Sequence, residues 1–470
     1  MRHIFQSHVR FADPHVNSDD KNRLSILANT VEPLVRRDAR GGFIPCLAKS
    51  WQVSEDARQW QFDLQDGVHF HDGSSLRAAD VVANLMRIRD EDLGGELGTA
   101  GVYQSYLQGA TFEARGDVVH VALDAPFSEL LDIIEKFPIM PEKVLSGGVL
   151  EATDIVGTGA YTIADVGENA VVLDGFADYW YQQKRPSALT FYAQADAHAR
   201  VDALLAGEAQ VISEVPLVRF AEVVQKARLV SMQSTVCVIA MFNLLQGDAD
   251  KRVDKRVRQA LNYALDIRAI MHELHETYAM PLRSPLTPLH AGFDNSLTGY
   301  GYDPEKARAL LAEAAAQGLT LNLAAPTIHP DESPRLAELI VEQCAAVGVT
   351  VNTILHEDRP AYADRVRDKQ AGDVCIFDSS PLSSYRVLRE KFHSQTQGPW
   401  WQGYHNAEVD KYIDNIARTT DSKMKNDLYA SAQKAILEDA PWLFLYSPMK
   451  HWGMRANIFW QPTIDGVILF

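Results

Sequence analysis

Two imidazoles sit three positions apart in His272-Glu273-Leu274-His275, a helical spacing at which a pair can share a metal ion. The run is not HExxH and no third ligand is evident nearby, so it falls short of a zinc site and a solvated helix face is expected. His69 and His71 flank Phe70 in an alternating segment and read as one face of a hairpin, again too few for a metal. The run Gly94-Gly95-Glu96-Leu97-Gly98-Thr99-Ala100-Gly101 lacks both the Lys-Ser/Thr of a P-loop and the GxGxxG spacing that seats a pyrophosphate on a helix start; a surface loop is expected. Gly157-Thr158-Gly159 leads into Ala160-Tyr161 as a turn into a strand. No GxSxG elbow is present. Hydrolysis would have to use a pairing such as Asp378 with His405, and no nucleophile is visible beside them. The expectation is therefore no enzyme and no cofactor.

Recognition without turnover fits better. A strand pattern from Val374 to Phe377 delivers the chain into Asp378-Ser379-Ser380-Pro381-Leu382-Ser383-Ser384-Tyr385-Arg386. Polar residues at the carboxyl end of a strand in an α/β sheet are where ligands collect. Trp400-Trp401-Gln402-Gly403-Tyr404 adds flat apolar faces beside hydrogen-bonding groups, the mixture small-molecule pockets use, with core packing as the plain alternative. Arg386, Arg283 and Lys136 can each clamp a carboxylate, although most such residues are simply solvated.

The elements that must position these groups can be read from periodicity. Trp60, Phe62 and Leu64 alternate, as do Val68 and Phe70 across Asp66-Gly67, predicting a hairpin; Ser75 then caps a helix whose buried stripe includes Ala78, Val82, Leu85 and Met86. Arg200–Leu205 ahead of Gly207 reads as a short helix before a strand at Gln210–Val215. Asp303-Pro304 opens a further helix. Leu319 to Leu323, a helix from Ser333-Pro334 to Gly348, and Val349 to Thr353 make a βαβ unit.

The chain has 470 residues, more than one core's worth, and composition suited to folding, with 46% hydrophobic and 23% charged residues. Lys+Arg 45 against Asp+Glu 62 leaves a net charge of −17, which argues against nucleic acid as a partner. Cys46, Cys237, Cys344 and Cys375 are scattered without a CxxC pair and read as small apolar residues, with one disulfide left open. The longest apolar stretch, Val236 to Leu245, is interrupted by Asn243 and falls well short of the roughly 20 residues that span a bilayer. The opening residues show no apolar core with a cleavage site, so no signal peptide is read in this sequence, which neither shows nor excludes export.

Several segments together resemble the extracytoplasmic solute-binding proteins of peptide and nickel ABC importers, family 5. They are Asp13-Pro14-His15, Val31-Glu32-Pro33-Leu34-Val35, Pro45 to Trp51, Trp60 to Gly73 with Ala79-Asp80-Val81-Val82, Val156 to Tyr161, Asp178-Tyr179-Trp180, Val257 to Ala264, Asp303 to Ala307 and Glu408-Val409-Asp410, in order along nearly the whole chain. The resemblance implies an α/β, two-lobed periplasmic-binding-protein type II (cluster C) fold with an extra inserted domain. Lobe I would comprise 1–31, 154–238 and 447–470, the inserted domain 32–153, and lobe II 239–446. It implies a monomer, periplasmic or otherwise extracytoplasmic, that closes on a small-molecule solute and presents it to the membrane permease of an ABC importer.

Carried onto this sequence, the resemblance places ligand contacts at Asn17, Asn22 and Arg23 in an N-terminal wall and at Asp378, Ser379, Ser380, Ser383, Tyr385 and Arg386 in the strand-end loop, and the residue types themselves add Asn243, Arg283, Trp400, Trp401 and Tyr404 as polar and aromatic lining. Ser380 stands where peptide-binding members carry the Asp that pairs with a peptide amino terminus, and Asp378 where nickel-chelate binders carry a Trp. The hydroxyl-rich loop points to a sugar or amino-acid conjugate, an opine-like compound or a modified peptide, ahead of an ordinary oligopeptide or dipeptide. A hydrolase or a ligand-sensing interaction protein on the same scaffold are the alternatives.

Overall fold

The structure is a computed structural model that describes residues 1–16, 18–96, 101–145, 148–247, 250–275, 277–328, 330 and 332–470. The chain divides into two units, Met1–Met232 with Lys450–Phe470, and Gln233–Met449. Each is mixed α/β.

In the first unit the strands Val211–Ser213, Arg2–Gln6, Ala188–Ala193, Ala170–Gly175 and Tyr161–Val166 lie side by side in that order, with Arg2–Gln6 parallel to both of its neighbours. Ile4, Tyr161, Leu173, Leu189, Phe191 and Trp452 fill its core. Helix Ala197–Ala206 ends at Gly207, whose φ of 89° is the left-handed C-cap that the Gly-terminated pattern predicts. Residues 32–153 fall in this unit and carry a separate antiparallel sheet, Ala48–Val53, Gln59–Leu64, Val118–Ala122 and Thr111–Arg115.

That sheet overturns the predicted hairpin. Gly67 does turn, with φ of 70°, but the returning segment bonds forward: Phe70 N–H donates to Ser74 O at 2.8 Å and Leu76 N–H to Val68 O at 2.9 Å. Both edges of Gln59–Leu64 are occupied by Ala48–Val53 and by Val118–Ala122, so a distant strand displaces the local partner. Ser75 is therefore not a cap; it bridges His69. Helix Ala78–Asp90 starts instead with Arg77 N–H donating to the Asp80 carboxylate at 3.0 Å.

His71 is not on a hairpin surface either. Its Nδ1 accepts from Gly157 N–H at 3.3 Å and its Nε2 donates to Gly159 O at 2.9 Å, and burial lowers its pKa. A Cβ at Gly157 or Gly159 would collide with Thr30 backbone atoms, which explains both glycines. Beside them Glu32, fully buried, accepts from Tyr179 Oη at 2.9 Å, Trp180 Nε1 at 2.7 Å and Thr158 Oγ1 at 2.9 Å, with Arg36 at 3.2 Å. Three sequence segments remote from one another thus converge on a single carboxylate.

A second buried knot makes this unit acid-sensitive. His15 donates from Nε2 to Pro138 O at 2.8 Å and accepts on Nδ1 from Arg87 at 2.8 Å, while Arg87 also pairs with Asp13. Burial, reinforced by Arg87, pushes the His15 pKa down to about 4. Burial works to raise the Asp13 pKa, but the bonds from Arg87 and from the Leu150 and His15 amides outweigh it and hold the carboxyl below its usual range. The unfolded chain therefore takes up a proton at His15 near pH 6.5 that the folded chain refuses until about pH 4, so stability is lost as pH falls through that window. The loss amounts to about 3 kcal/mol, and Asp13 extends it at lower pH. Urea unfolding at pH 7.5 and pH 4 should show this drop, and His15→Gln, less stable at pH 7.5, should show a smaller one.

In the second unit the order is Thr350–His356, Thr320–Pro326, Val374–Ser379, Cys237–Phe242, then residues 442–446. Thr320–Pro326 is parallel to both neighbours, and helix Ser333–Ala345 makes the crossover to Thr350–His356 as the βαβ pattern predicts. Asp303 caps helix Pro304–Glu313 by accepting from Lys306 N–H. Leu321, Leu323, Val374, Ile376, Val257, Leu261, Leu336 and Ile340 share the core. The four cysteines are buried and unpaired, and burial pushes each thiol up to about 12. No helix among the described residues is long and apolar enough to cross a membrane.

Candidate functional site

The carboxyl end of strand Val374–Ser379 gathers most of the residues the sequence singles out. Alternation puts Val374 and Ile376 into the core of the second unit and Phe377 and Ser379 together on the opposite face. Asp378 and Ser379 are the last strand residues rather than loop, Ser379 pairing with Cys237 across the ladder. Pro381 O accepts from His290 Nε2 at 2.9 Å, Ser380 O from Thr235 Oγ1 at 3.1 Å, and Ser384 Oγ donates to Ala291 O. These bonds tie the connection to segments 235–237 and 284–291.

The loop is shorter than expected. Ser383 is the N-cap of helix Ser384–Phe392 and accepts from Arg386 N–H, so Tyr385 and Arg386 are helical and buried instead of lying in an open loop. Arg386 is 2% exposed and its Nε donates to Glu390 Oε1 at 2.8 Å, one helical turn on. Ser379 Oγ is buried and has no hydrogen-bond partner among the described residues. Asp378 stays partly exposed and pairs with Arg359 at 3.1 Å.

Arg359 is the residue sequence reasoning missed. It opens helix Arg359–Arg367, capped by Asp358 with Pro360 in its first turn, and its guanidinium lies 4.7 Å from the Phe377 ring centroid. The Asp358-Arg359-Pro360 start signal was there to be read. Trp400 packs on the same ring, 4.8 Å between centroids, and Lys391 Nζ stands 5.7 Å from Trp400.

The other candidates are placed as follows. Trp401 Nε1 donates to Tyr404 O, and buried Tyr404 donates its hydroxyl to Asp439 at 2.7 Å. The Arg283 guanidinium lies 5.6 Å from Phe293. Asn243 is at the other end of strand Cys237–Phe242 from Ser379, where it caps Leu244–Gln246 and donates to Lys369 O and Gly372 O. Asn22 and Arg23 belong to the first unit: Asn22 donates to Ser7 Oγ, and Arg23, 1% exposed, donates to Asp13 O and Val16 O and pairs with Glu96. Asn17 and part of the run 94–101 lie outside the described residues. Lys136 is committed to Glu135 and Asp465.

Asp378 and His405 do not form the pairing a hydrolase would use. Asp378 is on Arg359, and His405 Nδ1 meets Ser394 Oγ, whose proton goes to Asp410. His275 corrects the solvated-face expectation: its Nε2 is 3.2 Å from Glu332 and its ring packs edge-on against Tyr446. No group of three His, Cys, Asp or Glu among the described residues is placed to hold a metal ion.

Residues 42–383 match the model of the bacterial extracellular solute-binding proteins, family 5 Middle. The chain belongs to this family. It is the solute-binding component of an ABC importer; family 5 proteins are non-enzymatic, periplasmic or extracytoplasmic, and bind peptides or small solutes that they bring to ABC permeases. The glutathione-binding protein GsiB of Pectobacterium atrosepticum is 28% identical over 450 residues, 92% of this chain and 85% of the relative. Among solved folds, the oligopeptide-binding protein AppA from Bacillus subtilis, in complex with a nonapeptide, superposes with a TM-score of 0.79 at 22% identity, covering 99% of this chain and 96% of AppA. AgaA from A. tumefaciens R10, in complex with agropinic acid, gives 0.78 at 21%, covering 97% and 93%. Both show the family 5 fold.

Proposed function

We propose that this family 5 protein captures a small amino-acid-derived solute, a modified peptide or an opine-like conjugate, and delivers it as a monomer to its permease. The observation that carries this reading is the Asp378–Arg359 pair at the strand end, because opposite charges 3.1 Å apart are matched by the amine and carboxylate of a zwitterion. A sugar has less to recommend it: the hydroxyls of Ser383 and Ser384 are spent on the helix cap and on Ala291 O, leaving half-buried Ser380 and buried Ser379 as the hydroxyls of the run. The glutathione-binding relative and the agropinic acid complex support the same class.

Native mass spectrometry before and after denaturation, with identification of released molecules, tests it. An amino-acid conjugate or short modified peptide is the expected outcome. A released oligosaccharide would overturn the reading, as would silence from glutathione, dipeptides and opines in calorimetry.

A further inference from the structure

We propose that the first unit carries a second binding site, a groove that takes an amphipathic carboxylate, an apolar body ending in an acid group. The groove has a volume of about 410 Å³, and Arg2, Lys184, Arg185, Phe459, Trp460 and Phe470 are among the residues that line it. That is the size of a small-molecule site. Its place follows from the topology. Arg2 begins strand Arg2–Gln6, which runs parallel to Ala188–Ala193, so the groove lies at the amino end of this pair. Asn22, in the expected solute wall, is at the other end, where its carbonyl accepts from Gln6 Nε2 at 3.0 Å. The length of the strand, roughly 13 Å, separates the two.

The charge of the lining selects an anion. It contains Arg2, Lys184 and Arg185 and no Asp or Glu, in a chain whose net charge is −17. Arg2 is half-buried, lies 4.9 Å from the Phe470 ring centroid, and its guanidinium has neither an ion pair nor a hydrogen bond among the described residues. Burial pulls its pKa down and Tyr161 alone works the other way, so its lost hydration is not offset by a carboxylate. Lys184 is exposed and likewise without a partner among the described residues. Arg185 is fixed beside them by its bond to Phe176 O and by the Tyr179 ring, 4.9 Å away. A carboxylate suits this set, because the planar guanidinium fork takes both of its oxygens and the lysine stem brings a second cation to it.

The rings select the rest of the ligand. Trp460 and Phe470 pack with centroids 6.0 Å apart, and Phe459 is 87% exposed with the Arg228 guanidinium 5.5 Å from its ring. An inorganic anion would leave these faces in water, and a neutral apolar molecule would leave Arg2 unmatched. A ligand with both parts satisfies both.

The test is titration calorimetry on the full chain with octanoate and naphthalene-2-carboxylate, their amides, and acetate. At least one of the two acids should bind the wild type roughly 10-fold tighter than its amide, the size of one charge-assisted bond in a solvated groove, and acetate should give no signal. Lys184→Glu, a reversal on an exposed loop position, should remove most of that preference, and Arg2→Gln should do the same where a melt shows it folded. Phe459→Ser should weaken acid and amide alike by a few-fold. Absence of binding by both acids overturns the proposal, and so does equal binding of acid and amide. Acid binding that Lys184→Glu leaves unchanged would put the ligand elsewhere on the protein and overturn it too. None of these outcomes bears on the solute class proposed above.

Discussion

Replacing Glu32 by Ala should cost the first unit about 3–5 kcal/mol, the range for stranding the partners of a buried charge. The substitution removes the acceptor for the Tyr179 hydroxyl, the Trp180 indole and the Thr158 hydroxyl together and leaves the Arg36 cation without its carboxylate. Tyr179, Thr158 and Glu32 are all buried, so water does not replace what is lost. In a thermal melt the midpoint should fall by about 10 °C for a unit of this size. Glu32→Gln should fall less, since its amide oxygen still accepts from one or two of the same donors. A melt of Glu32→Ala within 2 °C or so of the wild type would mean the network is worth far less than such buried groups usually are.

Arg386 gives the second large effect and reverses what its place in the sequence suggests. A residue lining an open loop would change affinity and leave folding alone; this one is 2% exposed and bonded to Glu390, itself 2% exposed. Arg386→Met should therefore destabilise the second unit by about 3–5 kcal/mol, chiefly by leaving Glu390 buried without its cation. The double change Arg386→Met, Glu390→Met should recover most of that loss, because two apolar side chains of similar length can fill the space without desolvating a charge. Urea midpoints of the two single variants and the double variant measure the coupling directly. Independent, additive losses would show that the pair contributes little.

Local patterns were legible where one segment decides its own structure. The Asp303-Pro304 start, the Gly207 stop and the parallel pair 320–326 and 350–356 each follow from caps and alternation within a few residues. Reading failed where a distant partner decides. The 60–70 hairpin lost to strand Val118–Ala122, which no local turn signal announces. Tyr385 and Arg386 look like loop in a run with four serines and a proline, and become helical because Ser383 serves as the N-cap. At the candidate site, Asp378 is visible as a polar residue at a strand end, but its partner Arg359 is 19 residues earlier, at the start of a helix. Periodicity does not connect two such positions; only the fold does. Asn243 shows the converse, since a polar residue ending an apolar run looks like a ligand contact until the antiparallel ladder puts it at the far end of its strand from Ser379.

The first unit is assembled from two pieces of chain, residues 1–232 and 450–470, with the whole of the second unit between them. Strand Val211–Ser213 takes one neighbour, Arg2–Gln6, from the first piece and the other, Trp452–Met454, from the last. A chain emerging from the ribosome can therefore complete the second unit while the first still exposes an unpaired strand edge. Translation that stops anywhere before residue 450 leaves that edge open for good. Truncated products should be prone to edge-to-edge association, and the closing segment, not the bulk of the chain, sets the moment at which the first unit becomes safe from it.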